Sequence, residues 1–239
     1  MFYELRLPNH EPKIAAIALK HFVRDIIPED SPYRDKIFHH IQDEDMYSEN
    51  IFAVPELYYG KPSLRDYRLY GFDDDLLKYL GGLLVQHKIA KKFYLNELDF
   101  IPRMTNSKVR YHTRTPIVVF THSYRKVFDT IMHKYQPGEE RDREFQSAAC
   151  DFIRRNIKYQ LQARISRDKK YAFVDEIDIE WRSFKVIMVQ GRNNHKKVPA
   201  IVGEFSSNYV LPLFLGRESG IGFGECRRID ERTWKKVFS

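Results

Sequence analysis

The chain is poor in cysteine and glycine and has no long apolar run. Its two cysteines, Cys150 and Cys226, are too few for a disulfide framework or a four-cysteine zinc site. That scarcity points to a reducing cytoplasm. There is no Cys-x-x-Cys and no His-Glu-x-x-His, so neither a metal site nor a cofactor is expected. The longest apolar clusters, such as YVLPLFLG, are core-sized and far short of a bilayer span, so no membrane partner is expected. The opening MFYELRLPNHEPK lacks the apolar core of a secretory leader.

What is present is charge and aromatic surface. The formal net charge is +7, with 15 Tyr and 17 Phe in 239 residues. A basic balance favours a polyanionic partner, nucleic acid first and an acidic membrane surface second. Many basic proteins nevertheless bind no anion.

The apolar pattern orders the elements. MFYELRL alternates and ends at Pro8, which predicts a strand. KIAAIALKHFVRDII places Ile14, Ile17, Ala18, Phe22, Val23 and Ile26 at helical spacing, and Pro28 ends it. SPYRDKIFHHI predicts a second short helix capped by Ser31, with Pro32 in its first turn. NIFAVPELYYG and SLRDYRLYGF read as strands. DDDLLKYLGGLLVQHK reads as a helix with acids at its start and Lys88 at its end, suiting the helix dipole. KKFYLNELDFIPR alternates again. Strand, helix, strand, strand, helix, strand is the split-βαβ, ferredoxin-like order.

The chain then repeats that order. VRYHTRTPIVVF predicts a strand and REFQSAACDFIRRNIKYQLQARI a long helix. YAFVDEIDIEWRSFKVIMVQG predicts two strand pieces and KKVPAIVGEFSS another strand. NYVLPLFLG predicts a short helix despite Pro212, and GFGECRRI the last strand. The expected architecture is α+β, two tandem ferredoxin-like (RRM-like, βαββαβ) domains at 1–104 and 105–239, joined by the polar stretch Pro102–Lys108.

Four of the 11 glycines, Gly216, Gly220, Gly222 and Gly224, fall in LFLGRESGIGFGECRR. No Gly-Lys-Ser/Thr opens a helix there, which removes the P-loop. The dinucleotide fingerprint needs a strand before its glycines and a helix after, whereas this order is the reverse. Two readings stay open. The glycines make room in a crowded turn, or they leave backbone amides bare for a phosphodiester chain, with Arg217, Arg227 and Arg228 supplying charge.

LGRESGIGFGE resembles the C-terminal glycine-rich signature of the CRISPR repeat-cleaving endoribonucleases of the RAMP superfamily, with Gly216, Gly220, Gly222, Phe223 and Gly224 in matching places and Arg217 and Ser219 as the polar residues between. KFYLNELDFI is similar to that family's fourth strand, RTPIVV to the entry to its second domain, and IFHHI to a short helix ending in Leu-His. The resemblance implies an endoribonuclease that cuts precursor CRISPR RNA within its repeats without a metal. The ribose 2′-OH attacks the adjacent phosphate, leaving a 2′,3′-cyclic phosphate and a 5′-OH. It assigns His39 as general base or acid, since imidazole titrates near neutrality. His40 competes for the role, because neighbours on a helix point about 100° apart. Lys36, one turn before them, and Tyr33 are candidates for charge stabilisation. His21, His112 and His122 read as structural or solvated.

The sequence departs from the family where a lysine often follows the histidine. QDEDMYSEN holds Asp43, Glu44, Asp45 and Glu49 and no lysine. A second reading is therefore a non-catalytic RNA-binding subunit holding guide RNA beside other CRISPR effector subunits. The expected partner is CRISPR repeat RNA, with the protein a monomer or homodimer. In the long helix, Arg154 and Lys158 share one face and Arg155 lies on the next, a basic stripe that suits an RNA backbone. Phe223 or Tyr209 could stack on a base.

Overall fold

The computed structural model describes residues 1–8, 16–34, 37, 57–61, 66–119, 122–165, 171–190, 197–216 and 222–229. The backbone divides into two compact units, one made of Met1–Phe100 with Gly222 grouped to it, the other of the rest of the chain from Ile101.

The first unit runs β1 (Phe2–Pro8), α1 (Ala16–Ile26), β2 (Leu57–Tyr59), β3 (Asp66–Gly71), α2 (Asp74–Gln86) and β4 (Tyr94–Leu98). Its antiparallel sheet has the order β2-β3-β1-β4, the ferredoxin-like arrangement. Leu5 lies between Leu69 and Leu95, and the core on that face gathers Leu7, Leu69, Leu77, Leu80 and Leu84. The buried line is Leu19 and Val23 of α1 and Ile27 just after it, while Ala18 is exposed. Val23 is buried as expected and Phe22 and Ile26 pack partly buried against the core, while Ala18 faces water and Leu19 takes its place. Asp73 caps α2 by accepting from Leu76 N at 2.9 Å, which satisfies one of the free amides of a first turn. On the other face of this sheet Glu4 accepts from Arg68, Tyr70 and Asn96, and buried Asp66 holds Arg6 and Arg68. The expected helix at 31–41 falls mostly outside the described residues. Its Ser31 hydroxyl accepts from Tyr33 N at 3.3 Å.

The second unit runs β5 (Arg103–Thr113), β6 (Ile117–Val118), α3 (His122–Lys134), α4 (Glu139–Arg164), a 3-10 turn (Ala172–Glu176), β7 (Ile179–Gln190), β8 (Lys197–Val210) and β9 (Cys226–Arg228). Ile201 of β8 pairs with Ile117 on one side and Val186 on the other, and Phe205 with Tyr111 and Trp181. So β5 and β6 lie end to end along one edge of β8, with β7 on the other. β9 pairs with the far edge of β5. Counting β5 and β6 as one interrupted strand restores the ferredoxin-like order in this sheet too, and the chain is an α+β protein of two tandem ferredoxin-like folds. Helix α4 buries Phe145, Ala149, Phe152, Ile153, Ile157 and Leu161, the one-sided spacing of an amphipathic helix.

Four expectations are corrected in this unit. Residues 103–108, read as a joining stretch, are the first half of β5. They are polar because that half is largely exposed, with Lys108 paired to Asp178 and Glu180. Residues 171–190 hold a 3-10 turn and one long strand in place of two strands. Helix α3, not foreseen, covers a segment with few apolar residues, where Ile131 is buried and Phe128 stacks on Phe145 at 5.2 Å. Finally, 208–216 is no helix. β8 continues to Val210, paired with Arg103, and Pro212 lacks the N–H that a helix interior needs.

Candidate nucleic-acid interface

The segment between β8 and β9 fills the place of the second crossover. Its described residues, 211–216 and 222–225, form no helical ladder, and their backbone groups find partners elsewhere. Helix α4 supplies two side-chain amides. Asn156 Oδ1 accepts from Gly216 N at 2.9 Å, and its Nδ2 donates to Gly216 O at 3.3 Å. Gln160 Nε2 donates to Phe214 O at 3.1 Å and to Asn156 Oδ1 at 2.7 Å. Both amides are buried. Gly216 sits at φ 85°, where an added Cβ would lie 2.7 Å from Ile117 Cγ2 and 2.8 Å from Val118 O.

The returning limb is fastened as tightly. Gly224 N donates to Pro116 O, and Leu215 N donates to Gly224 O, each at 2.9 Å. At φ 76° a Cβ on Gly224 would run into the carbonyl oxygen of Leu215. Fully buried Glu225 follows. Its Oε1 takes Arg114 Nη1 at 2.9 Å and Arg227 Nε at 3.2 Å. Its backbone N donates to the Thr115 hydroxyl at 2.8 Å, and its backbone O accepts from Arg114 N at 2.7 Å. The interruption between β5 and β6, Arg114–Pro116, is the dock for this limb.

Solved structures share this architecture from end to end. A CRISPR RNA processing endoribonuclease, Cas6b, aligns with TM-score 0.61 and 14% identity over 95% of this chain and 99% of its own. Csf5, a type IV Cas6 crRNA endonuclease, aligns with TM-score 0.60 and 11% identity over 96% and 99%. The product of a Cas6-related gene from Pyrococcus furiosus aligns with TM-score 0.54 and 13% identity over 97% and 99%. The fold is that of Cas6. No protein-family model matches the sequence, and no curated protein matches it by sequence.

Within this Cas6 fold the residues singled out by the sequence have different settings. His39, His40, Lys36, Arg217, Ser219 and Gly220 lie outside the described residues. Tyr33 is packed in the first unit, its ring 4.9 Å from that of Tyr79. Gly216 and Gly224 serve packing, and their amides are taken within the protein. Gly222, at φ 98°, is buried, and Phe223 is partly exposed. Arg154 Nε donates to Ile177 O at 2.7 Å, closing the 3-10 turn. Arg155 pairs with Asp151 at 3.0 Å on the exposed side of α4. Lys158 is half-buried, and Arg228 is exposed on β9. Arg227 joins the buried Glu225.

Sequence reasoning missed Asn156, Gln160, Arg114 and Glu225. The first two carried a signal: polar residues i and i+4 on the apolar stripe of α4, among Ile153, Ile157 and Leu161. Burial pushes the thiols of Cys150 and Cys226 up, which leaves neither as a ready nucleophile. Among the described residues one acidic group, Asp73, Asp74 and Asp75, has ligand atoms within 4.8 Å of one another. Its setting is the start of α2, where Asp73 caps the helix and Lys78 holds the other two. No helix among the described residues is long and apolar enough to cross a membrane.

Proposed function

We propose that this chain is a metal-independent endoribonuclease that cuts precursor CRISPR RNA within its repeats in the cytoplasm, as part of antiviral defence. The observation that carries the reading is the glycine-bearing crossover segment, clamped at both limbs, in a chain with the Cas6 fold. Gly222 and Phe223, with Arg217, Ser219 and Gly220 beside them in sequence, form the loop that meets RNA. Arg155, Lys158 and Arg228 add charge along its path. His39, or His40 if the helix phase differs, takes the 2′-OH proton or returns one to the leaving 5′-oxygen. Lys36 and Tyr33 stand in its sequence neighbourhood as supporting groups. The products are a 2′,3′-cyclic phosphate and a 5′-OH.

The test is single-turnover cleavage of the repeat RNA encoded beside the gene, in excess EDTA. Cleavage persists, and His39→Ala slows it by about a hundredfold or more while affinity changes little. Loss of His40 in place of His39 moves the role by one residue. Cutting that EDTA abolishes and magnesium restores refutes the mechanism. The acidic QDEDMYSEN stretch favours the second reading, a guide-holding subunit, and tight repeat binding with no cleavage selects it.

A further inference from the structure

We propose that the face of the second sheet opposite Tyr111 and Phe205 seats a backbone phosphate of bound RNA on Arg110, His112 and Arg227, and that His112 takes up a proton as it does so. The inference rests on the RNA-binding reading above and adds a site to it.

Strand alternation puts Arg110, His112 and Arg114 of β5 on this face. The register then builds a row across three strands: Glu204 of β8, His112 of β5 and Arg227 of β9. Arg110 Nη2 lies 3.6 Å from Glu204 Oε2. Arg114 and Arg227 converge on one oxygen of Glu225. Three guanidiniums and one imidazole thus meet two carboxylates. The side chains of Arg110 and Arg227 keep 28% and 29% of their surface in solvent, while Arg227 Nη2 itself is buried and meets a phosphate once that side chain turns outward.

Two further observations point to an anion. Arg227 spends Nε on Glu225, while its Nη2 is buried with no hydrogen-bond partner among the described residues. A buried guanidinium N–H without an acceptor is unfavourable, and a phosphate oxygen is the acceptor that its fork geometry suits. His112 is held below its usual range, first by burial and then by Arg227 and Arg114, against the pull of Glu204 and Glu225. Among the described residues these groups, with Arg110 on its own strand, are the charged groups that face it. A phosphate beside the ring reverses the repulsion from the arginines and favours the imidazolium. The sign follows: binding raises the pKa of His112, so affinity rises as pH falls through the histidine range.

The experiment measures binding of a fluorescein-labelled single-stranded RNA of about 20 nucleotides at pH 8 and pH 6. Wild-type affinity tightens by about three- to tenfold, the uptake of at most one proton. His112→Gln removes that gain. Arg110→Gln weakens binding and makes the salt slope shallower by about 0.7. The thermal melting of each variant is recorded alongside. The His112 ring, followed by NMR, titrates at higher pH with RNA present. A His112→Gln variant that keeps the full pH dependence, or a ring whose titration ignores RNA, overturns the site and leaves the RNA reading standing. The latter result is also the one expected if an acidic stretch of protein occupies the site. Wild-type protein that binds no RNA overturns the RNA reading and this site together.

Discussion

The two units fill the same topological slot in opposite ways. Between the third and fourth strands of its sheet, the first unit has helix α2, and the second has the Leu211–Glu225 segment. A helix satisfies its own backbone and needs help only at its ends, which Asp73 gives α2. The described residues of the second segment take outside partners, from Asn156, Gln160, Pro116 and Thr115. It also needs a buried carboxylate between two arginines. Such polar burial is costly unless every member is paired. A self-sufficient helix holds a fold together, whereas the two described limbs of the second segment are fixed by partners outside it.

The contrast is broken most severely at Glu225. Glu225→Ala leaves Arg114, whose side chain is 13% exposed, and Arg227 without their shared partner. A loss of about 3–5 kcal/mol is expected for such a broken buried pair, read from urea unfolding. Gly224→Ala comes next. It forces a Cβ against the Leu215 carbonyl at positive φ and costs about 1–3 kcal/mol. The same change in the helical slot has the opposite sign. Gly82 lies in α2 with nothing within 4 Å of an added Cβ, so Gly82→Ala stabilises by about 0.5–1 kcal/mol. If both glycine variants melt alike, the difference drawn between the slots is wrong.

The first unit was the more legible in the sequence, and α2 shows why. Its caps, its apolar stripe and its acidic first turn all agree, so local signals sufficed. The long strand β8 was read short because Asn208–Gly216 looked helical by apolar spacing, and only its pairing with Arg103 and Met104 decides otherwise. Helix α3 was missed because it buries little. At the candidate site the glycines drew attention for a functional reason, yet Gly216 and Gly224 answer to packing partners more than 60 residues away or across the segment itself. Nothing in the sequence singled out Glu225. Its value depends on Arg114, 111 residues distant in sequence, a pairing that no local pattern announces.

That same distance bears on how the chain folds as it is made. The central strand of the second sheet, β5, is synthesised early, but its edges wait for β8 and then β9. Tyr111 meets Phe205 and finally Arg228. Long-range pairing of this kind is slow and leaves strand edges bare meanwhile. The first unit, whose last strand ends at Leu98, has all its sheet partners available while the second is still being translated. The clamp on Leu211–Glu225 therefore forms last, and a ribosome stalled before Glu225 would hold a finished first unit beside an open second sheet.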